Sequence, residues 1–327
     1  MRLPWARAGD LATARRRRKA YHVPVSDRGI RTMPWRLWKR DRRSRARWWP
    51  RPERPAAPIR LVAVDLDDTL LQPDKQVTAN TIAAVRACQQ RGVPVVLASA
   101  RPPRSVFDTY RKLGLRTVQI NYNGALIYEP HRAEVIHHQP IAPDLAGKVI
   151  ELARHMDGAC KIGLEMLDRW FTDDFDPRMP FYGGRGPDGV GPLHTFLTQP
   201  VTKLIVLGDG NRLARVREAI ERTFRKKVEV TVADPRVIQV MAAGVDKAVA
   251  VAMVARDFYD VPRQQVMTIG DAPNDVGMLK WAGWGVAVMN AFPEALQAAD
   301  AVVPASDAEG VVQALRRFIL DAPAGAE

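Results

Sequence analysis

The chain has 327 residues, 46% of them hydrophobic, which is enough for about two domains with buried cores. Its formal charge of +13 is confined to one end: residues 1–58 carry 18 Lys and Arg against four acids, and the other 269 carry 31 against 32. The folded part is therefore neutral, which excludes a broadly basic nucleic-acid-binding domain.

No run approaches the roughly 18 apolar residues of a membrane span. Two cysteines, Cys88 and Cys160, cannot build a disulfide framework and read as buried, reduced thiols. Residues 1–58 hold five of the eight tryptophans and the run Arg15-Arg16-Arg17-Arg18-Lys19, with no aliphatic periodicity. Such a segment is expected to be a basic disordered tail, ending in the proline-rich stretch 50–58. Arg interleaved with Trp suits RNA, DNA or anionic lipid. The same bias equally suits a solvated tail, or upstream sequence read as coding with Met33 as a later start. No apolar run follows the basic cluster, so a secretory signal is not expected.

In chain order, 59–64 reads as a buried strand ending in Asp65-Leu66-Asp67-Asp68-Thr69. A helix over 78–91 follows, then a strand over 93–98 that runs into Ser99, then a helix over 104–113. Strands 117–120 and 125–128 flank Asn123-Gly124, a hairpin signal. Beyond them come a helix over 145–155 and a glycine-rich loop over 183–189. A strand over 201–207, a helix over 212–224 and strands over 228–232 and 237–241 complete this stretch. Asp246 reads as the N-cap of a helix over 247–256, with Lys247 in its first turn. A strand over 266–269 runs into Gly270-Asp271-Ala272-Pro273-Asn274-Asp275, and 276–282 is helical.

This alternation predicts an α/β fold with a doubly wound, Rossmann-like parallel sheet. The core is expected over 59–141 and 241–321, with an α/β cap inserted at 142–240. Ligands bind beyond the carboxyl ends of such strands, where Asp65, Asp67, Ser99 and Asp271 would converge. Crowded carboxylates suit a hard divalent cation. With Lys247 and Ser99 beside them they suit a phosphoryl group: one carboxylate can attack phosphorus, and its neighbour two residues on can move the proton.

These four segments, in this order, resemble the four motifs of the haloacid dehalogenase-like (HAD) hydrolase superfamily. The insert between the second and third resembles its Cof-type branch, subclass IIB. Ser99-Ala100-Arg101 departs from the usual Thr-Gly-Arg, and Asp246-Lys247-Ala248 from a Ser-Lys-Gly type, but the hydroxyl and the ammonium are kept. The resemblance implies that Asp65 is the nucleophile and Asp67 the acid and base. It implies Mg2+ held by the Asp65 carboxylate, the Asp67 backbone carbonyl and Asp271. Ser99 and Lys247 would bind phosphoryl oxygens, Asn274 would border the bound substrate, and Asp275 would support Lys247 or the metal from behind.

The expected activity is hydrolysis of small phosphomonoesters, sugar or cofactor phosphates, through a phospho-aspartate, in the cytoplasm. A sugar phosphomutase, and a tail that binds nucleic acid or an anionic surface, are the rivals. Trp170, Phe171, Asp173 and Asp174 are candidates either for contacting a sugar or for packing the cap. His131, His137 and His138 lack metal-ligand spacing and read as surface or strand residues.

Overall fold

The computed structural model describes residues 54–176 and 186–321. The readings of the tail over 1–53, and of the glycine-rich loop at 183–185, lie outside the described residues.

The first sheet begins with β1 (Leu61–Val64), whose four residues are all buried. After α1 (Ala79–Gln90) come β2 (Val95–Ala98), α2 (Pro103–Leu113), β3 (Gln119–Asn121), β4 (Leu126–Glu129) and β5 (Glu134–His138). The chain then builds a second sheet. After α3 (Pro143–Met156) it forms β6 (Lys161–Met166), β7 (Arg169–Thr172), β8 (Gly189–Val190) and β9 (Lys203–Leu207). Helix α4 (Gly210–Thr223), β10 (Val228–Asp234) and β11 (Val237–Ala242) close that unit. Helix α5 (Lys247–Tyr259) returns to the first sheet, followed by β12 (Val266–Gly270), α6 (Val276–Trp281) and β13 (Trp284–Val288). The chain ends on α7 (Pro293–Ala298), β14 (Ala301–Val303) and α8 (Gly310–Leu315).

The first sheet has the order β14-β13-β12-β1-β2-β3-β4-β5. Six strands, from β14 to β3, run parallel, and β4 and β5 add an antiparallel edge. Side chains alternate across β1, so Val62 and Val64 pack with Val85, Val106 and Leu315 from α1, α2 and α8, while Leu61 and Ala63 pack with Val251 and Val254 from α5. Helices thus cover both faces, as the doubly wound expectation requires. The second sheet, order β10-β11-β9-β6-β7-β8, is antiparallel apart from β7 beside β8. One face carries Ile162, Leu164, Phe171, Leu204 and Val240 into a core shared with Val149 of α3 and Val216 of α4. The inserted second sheet is the cap.

Local chemistry sets the element ends. Thr78 caps α1 by accepting from the Thr81 amide. Asp246 caps α5 by accepting from Ala248, which leaves Lys247 at its first position. The hairpin turn at Asn123-Gly124 has both residues at positive φ. A Cβ on Gly124 would sit 2.7 Å from the Asp246 carbonyl, so only glycine lets this turn approach α5. Both cysteines are buried and free. Among the described residues no helix is long and apolar enough to cross a membrane.

Leu164 is fully buried in the cap core. Leu164→Ala is expected to cost about 2–5 kcal/mol, read as a lower urea midpoint.

Candidate active site

The parallel strands β1, β2 and β12 deliver three loops to one end of the first sheet. Asp65 leaves β1 with extended backbone, its amide bonded to the Ile269 carbonyl of β12 at 2.9 Å. Ser99 leaves β2, and Asp271 leaves β12. Carboxylate oxygens of Asp65, Asp271 and Asp275 lie within 4.8 Å of one another, and all three residues are buried.

One ammonium faces them. Lys247 Nζ donates to Asp65 Oδ1 at 2.5 Å and to Asp275 Oδ1 at 2.7 Å. Burial alone would strip Lys247 of its proton, but Asp275 and Asp65 outweigh it and hold the ammonium above its ordinary range. Burial pushes the Asp65 carboxyl well up; Lys247 opposes this, and Asp275 and Asp271 add to it. Asp271 is pushed up to about 6, chiefly by burial, although the Thr69 hydroxyl donates to its Oδ1 at 2.6 Å. Three buried acids against one buried lysine leave the pocket short of positive charge.

Asp275 engages both its oxygens: Oδ1 takes Lys247, and Oδ2 accepts from the amides of Asp271 and Ala272 at 3.0 Å each. It therefore fixes the lysine and the Asp271 loop together. Gly270 makes room for it, since a Cβ there would lie 2.6 Å from Asp275 Cβ.

The Asp67 carboxylate is turned to other partners. Arg101 grips it with Nε at 2.7 Å and Nη2 at 2.5 Å, and Lys75 lies 3.2 Å away. Burial would raise its pKa, but Arg101 and Lys75 together hold it below the usual carboxylate range. The Ser99 hydroxyl accepts from the Arg101 amide at 3.1 Å and keeps its own proton free to donate. Asn274 donates to Asn123 Oδ1 at 2.9 Å, and Asn123 in turn reaches Met241 of the cap.

The sequence profile of the haloacid dehalogenase-like hydrolases matches residues 62–315. The chain is similar to the 5-amino-6-(5-phospho-D-ribitylamino)uracil phosphatase YitU of Bacillus subtilis, 26% identical over 79% of this chain and 97% of that one. It is similar also to the HMP-PP phosphatase of Cronobacter sakazakii, 27% identical over 72% of this chain and 86% of that one. A haloacid dehalogenase-like hydrolase from Bacteroides thetaiotaomicron shares the fold with a TM-score of 0.72 at 26% identity, over 79% of this chain and 99% of that one.

The chain belongs to this family. It is a haloacid dehalogenase-like hydrolase of the phosphatase type, with its cap inserted between β5 and α5.

Two residues of this hydrolase's site carried no role in the sequence reading, and a third, Asn123, was read first as part of a hairpin signal. Thr69 holds Asp271, Arg101 holds Asp67, and Asn123 holds Asn274. Thr69 and Arg101 stand inside quoted motifs, so position in the motif was the available signal. The cap aromatics and acids have partners within the cap. Phe171 stacks on Phe196 at 4.8 Å, Trp170 is buried against Phe175, Asp173 pairs with Arg154, and Asp174 with Lys161. Of the histidines, His137 and His138 lie on β5, where burial pushes His138 down to about 4.

Gly270→Ala is expected to drive Asp275 off Lys247, with about 1–3 kcal/mol of destabilisation from overpacking. Urea denaturation reads the stability, and turnover should fall with it.

Proposed function

We propose that this hydrolase is a Mg2+-dependent phosphatase of small phosphomonoesters, sugar or cofactor phosphates, working through a phosphoryl group carried on Asp65. One observation carries the reading. The acids that end β1 and β12 share a buried cluster with a single lysine, at the strand ends where ligands bind in this fold. The two phosphatases named above have names that point to phosphorylated compounds, which supports a small metabolite as substrate.

The donor set suits a hard divalent ion: oxygen donors, with clustered, buried carboxylates that outnumber the one lysine paired with them. The Asp65 and Asp271 carboxylates and the Asp67 backbone carbonyl are the donors we assign to Mg2+. Bound there, the ion would neutralise charge on the phosphoryl oxygens and on the attacking carboxylate.

The chain's own residues do the rest. An Asp65 oxygen forms the new bond to phosphorus while the ester oxygen departs. Lys247, already on Asp65, and the free Ser99 proton meet the phosphoryl oxygens, and Asn274 borders the substrate. The leaving oxygen needs a proton, for which Asp67 is the candidate. In the Arg101 fork Asp67 is a carboxylate, so giving a proton requires it to take one up and leave that fork. Drawing a proton from the water that cleaves phospho-Asp65 requires the carboxylate as found.

Phosphate release from a panel of monoesters, with and without Mg2+, tests the reading. Asp65→Asn should abolish release, and Asp67→Asn should lower it about 10²–10⁴-fold. Release by Asp65→Asn equal to wild type would refute the assignment.

A second expectation concerns pH. In the metal-free fold Asp271 holds its proton up to about 6, against 3.8 ordinarily, so it lowers stability as pH rises through that window. Mg2+ should therefore raise Tm above pH 6, and this gain should shrink as the pH falls below 6. Thermal melts across pH with and without Mg2+ check this.

A further inference from the structure

The loop that carries Ser99 and Arg101 is held from two sides. Its three consecutive carbonyls each accept hydrogen bonds. Ser99 O takes the Asn123 amide at 3.0 Å, and Arg101 O takes the Tyr122 amide at 3.3 Å and the Asn121 side chain at 3.1 Å; all these donors are in the core. The middle carbonyl, of Ala100, accepts from Lys203 Nζ on cap strand β9, at 3.0 Å. Lys203 is buried, lies 5.0 Å from the centre of the Tyr122 ring, and reaches Gln239 Oε1 at 3.4 Å.

The helix after that loop, α2, has Pro102 at its N-cap and no capping side chain from its own chain segment. The cap supplies one. At the β6–β7 turn, Asp168 accepts from the Arg104 amide in the first turn of α2, at 2.7 Å. The Arg104 guanidinium closes on Glu165 of β6 at 2.8 and 2.9 Å, and the Tyr122 hydroxyl donates to Glu165 at 3.0 Å. Truncating one member of such a buried, charged network leaves its partners unsatisfied.

We propose that Lys203 and Asp168 of the cap are positioning residues for the Ser99–Arg101 loop, so that the Ser99 hydroxyl and the Arg101 fork on Asp67 are in place only while the cap hairpin is seated on the core. The consequence for turnover rests on the phosphatase reading above; the consequence for the loop does not. Lys203 touches neither the acid cluster nor Lys247 in this arrangement; it acts through the Ala100 carbonyl. Burial pushes its ammonium down to about 8, with Glu165 opposing, so near neutrality it remains a donor.

The test combines hydrogen exchange at the amides of residues 99–101 and 104 with steady-state kinetics, on the full chain, for wild type, Lys203→Met, Lys203→Arg and Asp168→Ala. Lys203→Met should speed exchange at residues 99–101 and 104. It should also lower kcat/KM by up to about 10²-fold, alike for p-nitrophenyl phosphate and for hexose phosphates, because misplacement of the loop is felt by every ester. Lys203→Arg keeps the donor and should recover most of both. Asp168→Ala removes the acceptor of the Arg104 amide and should speed exchange in the first turn of α2.

Unchanged exchange in Lys203→Met overturns the proposal. So does a loss confined to one ester, which would make Lys203 a substrate contact. Should Lys203→Met not fold, unchanged exchange in Asp168→Ala overturns it alone. Exchange is read without turnover, so a wild-type protein that releases no phosphate would refute the phosphatase reading while exchange still decides this one.

Discussion

Lys247 is a buried ammonium held at 2.5 and 2.7 Å between two buried carboxylates, Asp65 and Asp275, and the loops of the site are arranged around that pairing. Its place follows from the fold. Asp246 caps α5 and so puts Lys247 in the first turn, and β1 and β12 run side by side and bring Asp65 and Asp271 to the same sheet end. Asp275 completes the pairing because Gly270 lacks a Cβ, and it ties the lysine to the Asp271 loop through two amides. Burial removes the water that would otherwise screen these charges, so each is worth more and an imbalance is costlier. Asp271 shows that cost on one residue: burial raises its pKa, and the neighbouring Asp275 adds to the rise. A pocket rich in acid and short of cation is matched to a ligand that brings positive charge of its own.

The second constraint lies between the sheets. The inner cap face presents Glu165 and Lys203 to the core, and both find partners on the elements that flank Ser99. A cap joined in this way does more than cover the core, because its contacts end on the backbone of the loop that we propose meets phosphate. Asp67 is joined to the same link. Its carboxylate is held by Arg101, two residues beyond Ser99 in that same loop.

The sequence was most legible where chemistry and periodicity coincide. Strands β1, β2 and β12 are apolar runs that end in acidic or small residues, and the helix starts at Thr78 and Asp246 carry their own caps, so core and motif loops could be read together. Strand β6 was hidden because Lys161–Met166 contains Gly163 and a buried charge, Glu165, whose partner Arg104 lies 61 residues away. Strand β13 has glycine at its second residue and reads weakly for that reason. The Arg101 fork was hidden in the same way, since it joins residues 34 apart in two different motifs. Trp170 and Asp173 were ambiguous because aromatic and acidic residues suit both a sugar and a cap interior. In the fold these two residues meet Phe175 and Arg154.

The central claim is that Asp65 itself receives the phosphoryl group. A single turnover quenched rapidly in acid, followed by mass analysis of the proteolytic peptide that contains Asp65, tests it directly. The account predicts that this peptide gains the mass of one phosphoryl group transiently, with the group on Asp65. A full turnover in which no peptide gains that mass, or in which the group sits on another residue, would contradict it.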